Sequence, residues 1–283
     1  MKTCTPDRRT GIVAAVALLA PAAAVAQIDW NAPFPAHRII DNVYFVGTEA
    51  LGTFLIATPE GHILINSDFE STVPLIRDSV ESLGFDFDDI EIVLGSHAHP
   101  DHMQANALVK ALTGAEVMVM DRDVPAMRAM RAGGREQPID RVLRDGDRVE
   151  LGGTVLTAHL TPGHTPGCTS WAFEVEENGV AYDALVVCSF GVNDNYVLVD
   201  NPDYPEIVAD YRATYEKARA LPVDVFLGSH GFFYGLDEKY ARLQARRPGD
   251  PHPFVDRAGY LEHVDAQQAR FEAMLAEQTA AAR

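Results

Sequence analysis

Three imidazoles and one carboxylate fall within six residues, in the run Gly95-Ser96-His97-Ala98-His99-Pro100-Asp101-His102. A turn this tight cannot aim all four side chains at solvent or all four into an apolar core. Nitrogen and oxygen donors packed so densely suit a cation far better than packing. Two more histidines stand in a matching context. His164 lies in Thr161-Pro162-Gly163-His164-Thr165-Pro166-Gly167 and His230 in Gly228-Ser229-His230-Gly231, each just past an apolar run. Together His97, His99, Asp101, His102, His164 and His230 offer six donors, enough for two zinc ions that each keep a position open for water or substrate. Zinc lowers the pKa of bound water towards about 7, so metal-assisted hydrolysis is the chemistry such a centre suits. The other histidines, His37, His62, His159, His252 and His263, lack the strand-end glycine context and read as ordinary surface or partly buried residues. Of these, His159 is the one placed to support the site from outside.

Donors so far apart in the chain converge only if rigid elements carry them together. Short β-branched runs predict strands over 43–46, 54–57, 63–66, 90–94, 117–120, 148–151, 155–160 and 223–227. Apolar residues at helical spacing predict helices over 72–83, 101–112, 205–221, 236–246 and 259–277. Gly152-Gly153 reads as a two-residue hairpin turn, and a second hairpin runs from 169–175 through Glu177-Asn178-Gly179 to 185–188. Each candidate ligand loop then follows a strand, where sheet proteins hold site residues on a firm frame. Two groups of strands, each followed by helices, predict an α+β fold with two sheets packed together and helices outside, a four-layer αβ/βα sandwich.

Aspartate and glutamate outnumber lysine and arginine by 41 to 23, and a net charge of −18 repels phosphate backbones and anionic headgroups. Nucleic acid and membrane surfaces are excluded as partners; a small-molecule substrate and a monomeric protein are expected. Lys2, Arg8 and Arg9 precede a small apolar run from Gly11 to Ala26 that closes on Ala24-Val25-Ala26. That is the pattern of a signal peptide over 1–26, too short to span a bilayer, and it predicts export to the periplasm. No composition break divides 27–283, which reads as one hydrolase domain. Cys168 and Cys188 remain after loss of the leader, too few for a disulfide scaffold.

The order of His97-x-His99-x-Asp101-His102, Pro-Gly-His164 and Gly-Ser-His230 resembles the metallo-β-lactamase superfamily, over nearly all of 30–275. Arg144-Asp145-Gly146-Asp147, the segment from His159 to Thr169, Asn201-Pro202-Asp203-Tyr204 and Pro253-Phe254-Val255-Asp256 look most like its class B β-lactamases of the third subclass. The resemblance implies that His97, His99 and His164 hold a first zinc and Asp101, His102 and His230 a second. It further implies hydrolysis of the β-lactam amide by a metal-bound hydroxide that Asp101 orients, the first zinc polarising the carbonyl and the second receiving the nitrogen. Many related hydrolases place a bridging aspartate at the strand end after Val187, and other class B enzymes a cysteine; here the stretch is Cys188-Ser189-Phe190. The register that gives this position to Ser189 is preferred, and a shift by one gives it to Cys188. Asn193, Asn195 and Tyr196 are candidates for stabilising the carbonyl oxygen.

Three departures from the family pattern bear on substrate preference. Met103-Gln104-Ala105-Asn106 replaces the usual glycine pair, Gly191 stands where a second serine is common, and the arginine-bearing segment 121–138 is expected to line the cleft. Cys168 and Cys188 are equidistant from Asn178, so a symmetric hairpin would set them directly opposite one another, close enough for a disulfide. Two other readings remain open at this point: a periplasmic lactone, thioester or other ester hydrolase of the same fold, and a zinc-binding protein without catalysis.

Overall fold

The computed structural model describes Met1 and residues 28–283, so the leader expected over 1–26 lies, but for Met1, outside the described residues. The first half of the chain runs through β1 (His37–Ile40), β2 (Val43–Phe45), β3 (Phe54–Thr58), β4 (Gly61–Ile65), α1 (Val73–Ser82), β5 (Ile90–Leu94), α2 (Pro100–Met103), α3 (Asn106–Thr113), β6 (Glu116–Met120) and α4 (Val124–Ala129). A small hairpin, β7 (Arg131–Ala132) and β8 (Arg135–Glu136), then leads to β9 (Arg141–Leu143). The second half comprises β10 (Arg148–Leu151), β11 (Thr154–Leu160), β12 (Thr169–Glu177), β13 (Val180–Val187), α5 (Ile207–Ala220), β14 (Val225–Gly228), α6 (Leu236–Ala245) and α7 (Arg257–Ala281).

Two sheets carry the fold, one ordered β1-β2-β3-β4-β5-β6-β9 and the other β10-β11-β12-β13-β14. Alternation along the strands of the first sheet buries both its faces. Ile63, Ile65, Ile92, Leu94, Met118 and Met120 point into the core shared with the second sheet. Leu64, Val93, Val117 and Val119 point the other way, onto Val73, Ile76 and Val80 of α1 and Val109 of α3. The second sheet packs in turn against Tyr211 and Tyr215 of α5 and Tyr260, Val264 and Phe271 of α7. The layers are therefore helix, sheet, sheet, helix, as the αβ/βα expectation requires. Among the described residues no helix is long and apolar enough to cross a membrane.

The structure differs from the sequence reading in instructive ways. The helix expected over 101–112 is two helices, because the Ala105 amide donates to the Asp68 carbonyl at 3.0 Å instead of continuing the helical ladder. Segment 121–138 forms α4 and the β7–β8 hairpin and folds away from the main cleft: Arg131 pairs with Glu136 at 3.1 Å and Arg135 with Glu70 at 2.6 Å. Cys168 and Cys188 do form a disulfide, with Cα atoms 5.8 Å apart. They are not direct cross-strand partners, however. Glu177 pairs with Val180 around Asn178-Gly179, so the β12–β13 register centres half a residue beyond Asn178, and the bridge runs diagonally just past the strand ends.

Candidate metal centre

The loops that follow β5, β11 and β14 open on the same side of the molecule. One donor atom from each of His97, His99 and His164 lies within 4.8 Å of the others, and the same holds for Asp101, His102 and His230. The His97 ring is 4.7 Å from His99 and from His164 and 4.3 Å from His102, so the two triads adjoin.

Backbone and disulfide contacts aim the rings. His164 Nδ1 donates to the Gly191 carbonyl at 2.8 Å and His230 Nδ1 to the Ala50 carbonyl at 3.1 Å, which leaves each Nε2 facing the centre. His97 Nδ1 lies 3.1 Å from Ser96 Oγ and 3.4 Å from Cys188 Sγ, and its Nε2 is buried without a hydrogen-bond partner. Burial, followed by mutual repulsion among neighbouring imidazoles, holds His97 well below the usual imidazole range and lowers His164 and His230 to about 3. These rings are neutral at physiological pH and present lone pairs. Burial alone raises the Asp101 carboxyl, but the surrounding imidazoles outweigh it and hold the group ionised, with Oδ2 3.2 Å from His102 Nε2 and 3.6 Å from His230 Nε2. His102 Nε2 and His230 Nε2 are themselves 3.2 Å apart. Converging neutral nitrogens, one ionised carboxylate and an unpartnered buried nitrogen are a donor set that fits a divalent cation.

Residues 53–230 match the family described as the metallo-beta-lactamase superfamily. The chain belongs to that superfamily. Its structure superposes on the native FEZ-1 metallo-β-lactamase from Legionella gormanii with a TM-score of 0.85 at 43% identity, covering 89% of this chain and 99% of that one. The subclass B3 enzyme BJP-1 of Bradyrhizobium japonicum gives 0.82 at 38% identity over 90% and 98%. By sequence, the chain is 30% identical to a hydroxyacylglutathione hydrolase of Fuscovulum blasticum over 172 residues, 61% of this chain and 59% of that enzyme. It is also 24% identical to the human mitochondrial persulfide dioxygenase ETHE1, over 77% of this chain and 80% of that one. Membership of the metallo-β-lactamase superfamily implies a divalent metal, and the two triads are where this chain would hold it.

The remaining sequence candidates take distinct places in this superfamily member. Ser189 and Asn193 line a cleft of about 670 Å³ over the triads, whereas Cys188 is occupied by its disulfide. Tyr196 and Asn195 face an adjoining side pocket, and the Tyr196 hydroxyl, pushed up by burial, donates to the His164 carbonyl at 2.7 Å. His159 sits half-buried near Lys217 and Asp145, outside the cleft. His263, read as ordinary, lines the cleft among Phe190, Phe226 and Phe233.

Two buried carboxylates escaped the sequence reading. Asp123 receives the Ala98 amide at 2.8 Å, the Gly167 amide at 2.7 Å and the Thr165 hydroxyl at 3.0 Å, and so ties the His97 loop to the His164 loop. A side chain on Gly167 would collide with it. Asp68 accepts the Thr53 hydroxyl at 2.6 Å, while the Ser67 and Asp68 amides take the His102 carbonyl at 2.9 and 3.1 Å. Burial raises the Asp68 carboxyl to about 7. Its signal was available: Asn66-Ser67-Asp68 is a polar run directly after the apolar β4, the same context that marked the histidine loops.

Proposed function

We propose that this chain is a zinc-dependent hydrolase that opens the amide of β-lactams, holding two zinc ions per chain and working in the periplasm after removal of 1–26. The observation that carries the reading is the end of β13: Ser189 faces the cleft, Cys188 is locked in a disulfide, and no carboxylate stands there to bridge two metals. Likeness to FEZ-1 and BJP-1 over 89% and 90% of this chain supports it, whereas the match to the hydroxyacylglutathione hydrolase spans 59% of that enzyme.

His97, His99 and His164 would hold one ion and Asp101, His102 and His230 the other. Bound zinc supplies a water ionised near neutral pH and a Lewis acid for the scissile carbonyl. Asp101, ionised and one-fifth exposed, would be a ligand of the second ion and offers a carboxylate oxygen that can accept a hydrogen bond at the floor of the cleft. Ser189 and Asn193 offer neutral donors to the substrate from the cleft wall. Tyr196 acts as a positioning residue, its hydroxyl fixing the peptide of His164.

Chelation by EDTA is expected to abolish hydrolysis of a penicillin, and added zinc to restore it; activity surviving complete metal removal overturns the mechanism. Turnover of nitrocefin, a lactone and a glutathione thioester separates the substrate readings. The sequence match to hydroxyacylglutathione hydrolases favours the thioester as the competing substrate. A thioester turned over much faster than nitrocefin replaces the β-lactam reading.

A further inference from the structure

The β7–β8 hairpin takes no part in the chemistry of the two triads, yet it is bonded to the cleft wall from behind. Its turn, Gly133-Gly134, has positive φ at both residues, 54° and 75°, the two-residue geometry that matches the twist of paired strands. A Cβ on Gly133 would stand 2.7 Å from an Arg135 guanidinium nitrogen and 3.0 Å from Glu70 Oε2. The bare turn therefore lets Arg135 reach across to Glu70, where Nη1 donates to Oε1 at 2.6 Å.

Glu70 is held from a second side. Its amide donates to Gln104 Oε1 at 3.3 Å, and the Gln104 carbonyl receives Nε2 of Gln137, the residue after β8, at 3.0 Å. Gln104 and segment 121–138 are two of the three places where the sequence departs from the family pattern, and both converge on this one residue. The residue before it is Phe69, half-buried in the cleft wall and edge-on to Trp30 at 6.3 Å. Ser71 Oγ donates to Asn31 Oδ1 at 3.1 Å, so the same loop also holds the segment that carries Trp30. Trp30 in turn lies against His230 at 5.9 Å. Hairpin, loop and wall form one unbroken line of contacts.

We propose that Arg135 is a positioning residue for the cleft: acting through Glu70, it sets Phe69 and Trp30 beside the second triad and so tunes the wall's grip on substrate without touching it. The inference rests on this cleft being where substrate binds, as the hydrolase reading holds. Size decides its character. The Arg135 and Glu70 side chains are 45% and 23% exposed, so their pair biases the loop by about threefold and does not lock it. Arg135 adjusts the wall and is no gate. Wall contacts are shared by substrate and transition state, so the adjustment falls on KM and not on kcat.

Acrylamide quenching of tryptophan fluorescence and steady-state kinetics on nitrocefin test the idea together. The chain has two tryptophans, and Trp171 is 1% exposed, so quenching reads Trp30. Arg135→Ala is expected to raise Trp30 quenching, to shift its emission to longer wavelength and to raise KM about threefold with kcat unchanged. Arg135→Lys should keep most of the wild-type behaviour. Exchange of the pair, Arg135→Glu with Glu70→Arg, should restore what Arg135→Glu alone loses. Arg131→Ala breaks the hairpin's own bridge to Glu136 and leaves Glu70 alone, so it controls for general loosening and should change neither readout. Equal effects of Arg131→Ala and Arg135→Ala, or Trp30 quenching that Arg135→Ala leaves unchanged, overturn the proposal; so does a KM that holds while the wall moves. If the wild-type protein does not turn over nitrocefin, the β-lactam reading fails, and the quenching comparison alone decides the role of Arg135.

Discussion

The two triads are held in different ways. The His97, His99, His164 group is clamped by the protein's own bonds. Asp123 bridges its two loops, the Cys168–Cys188 disulfide lies against His97, and the β12 end reaches across through Thr169 N to Ser96 O at 2.8 Å and Trp171 Nε1 to Gly95 O at 3.1 Å. The Asp101, His102, His230 group is floored by backbone contacts but walled by aromatic rings. Phe232 stacks on His230 at 4.9 Å while 61% exposed, Phe233 meets it edge-on at 4.9 Å, and Trp30 lies at 5.9 Å. Directional hydrogen bonds in a dry interior fix positions, whereas stacked rings beside solvent fix them less firmly. The first triad is fixed by directional bonds, and the second is held less firmly.

The largest expected effects come from the residues of the two triads. His97→Ala and His230→Ala should each cut turnover by about 10³-fold, the scale of losing one transition-state-stabilising group. They should differ in metal content. Dialysis at limiting zinc is expected to leave one ion per chain, and His230→Ala should bind it as tightly as the wild type. His97→Ala should bind it more than ~100-fold more weakly, beyond the usual cost of losing a mere supporting partner. Tight single-zinc binding by His97→Ala and not by His230→Ala reverses the order of the two triads.

Next in size is the clamp. Asp123→Ala strands two amides and a hydroxyl in the interior, at about 1 kcal/mol or more each, so denaturant unfolding should show a loss of about 3–4 kcal/mol. Zinc affinity at the first triad should fall ~10–100-fold, and at the second much less. An equal fall at both breaks the contrast. Smaller again is the disulfide. Opening a cross-link between residues 168 and 188 should cost about 3 kcal/mol of stability, measured in a Cys168→Ser, Cys188→Ser double variant against the oxidised parent. The first triad should again bear the loss of metal affinity.

The convergence of the donor residues was legible in the sequence because their chemistry is dense and local: four donors within six residues, and two matching strand-end loops. The sandwich was legible because period-two and period-3.6 patterns alternate along the chain. What escaped depends on distant chain meeting at the cleft. Arg270, Gln267 and His263 sit on a helix whose own sequence says nothing of the face it turns to a site, and Trp30 and Phe69 arrive from elsewhere in the chain. The hairpin β12–β13 shows a finer limit. Whether the turn held two residues or three decided whether Cys168 opposed Cys188 or Ser189, and only the register settles that. Likewise Asp101 to Leu112 carries helical periodicity throughout, yet one amide captured by Asp68 divides it.

The smallest effect tests the aromatic wall of the second triad through pH. His263 packs against Phe233 at 5.2 Å, and Phe233 against His230, so a charge on His263 is felt by the softer half of the centre. Burial lowers His263 from 6.5 to about 4, with no acidic partner to offset it. A histidine depressed in the folded state contributes stability that is present in full above its unfolded value, near 6.5, and lost as pH falls towards 4, because between those limits the unfolded chain takes up the proton more readily. Between pH 7.5 and 5 the loss from this one residue should be about 2 kcal/mol. His263→Phe replaces the imidazole with a ring that cannot be charged among Phe190, Phe226 and Phe233. The difference between wild type and variant cancels the other titrating groups, so the metal-free variant should be less acid-sensitive by that amount in denaturant unfolding at the two pH values. If both proteins lose stability in parallel, the wall behind His230 is not where acid acts, and the two triads do not differ in the way their surroundings suggest.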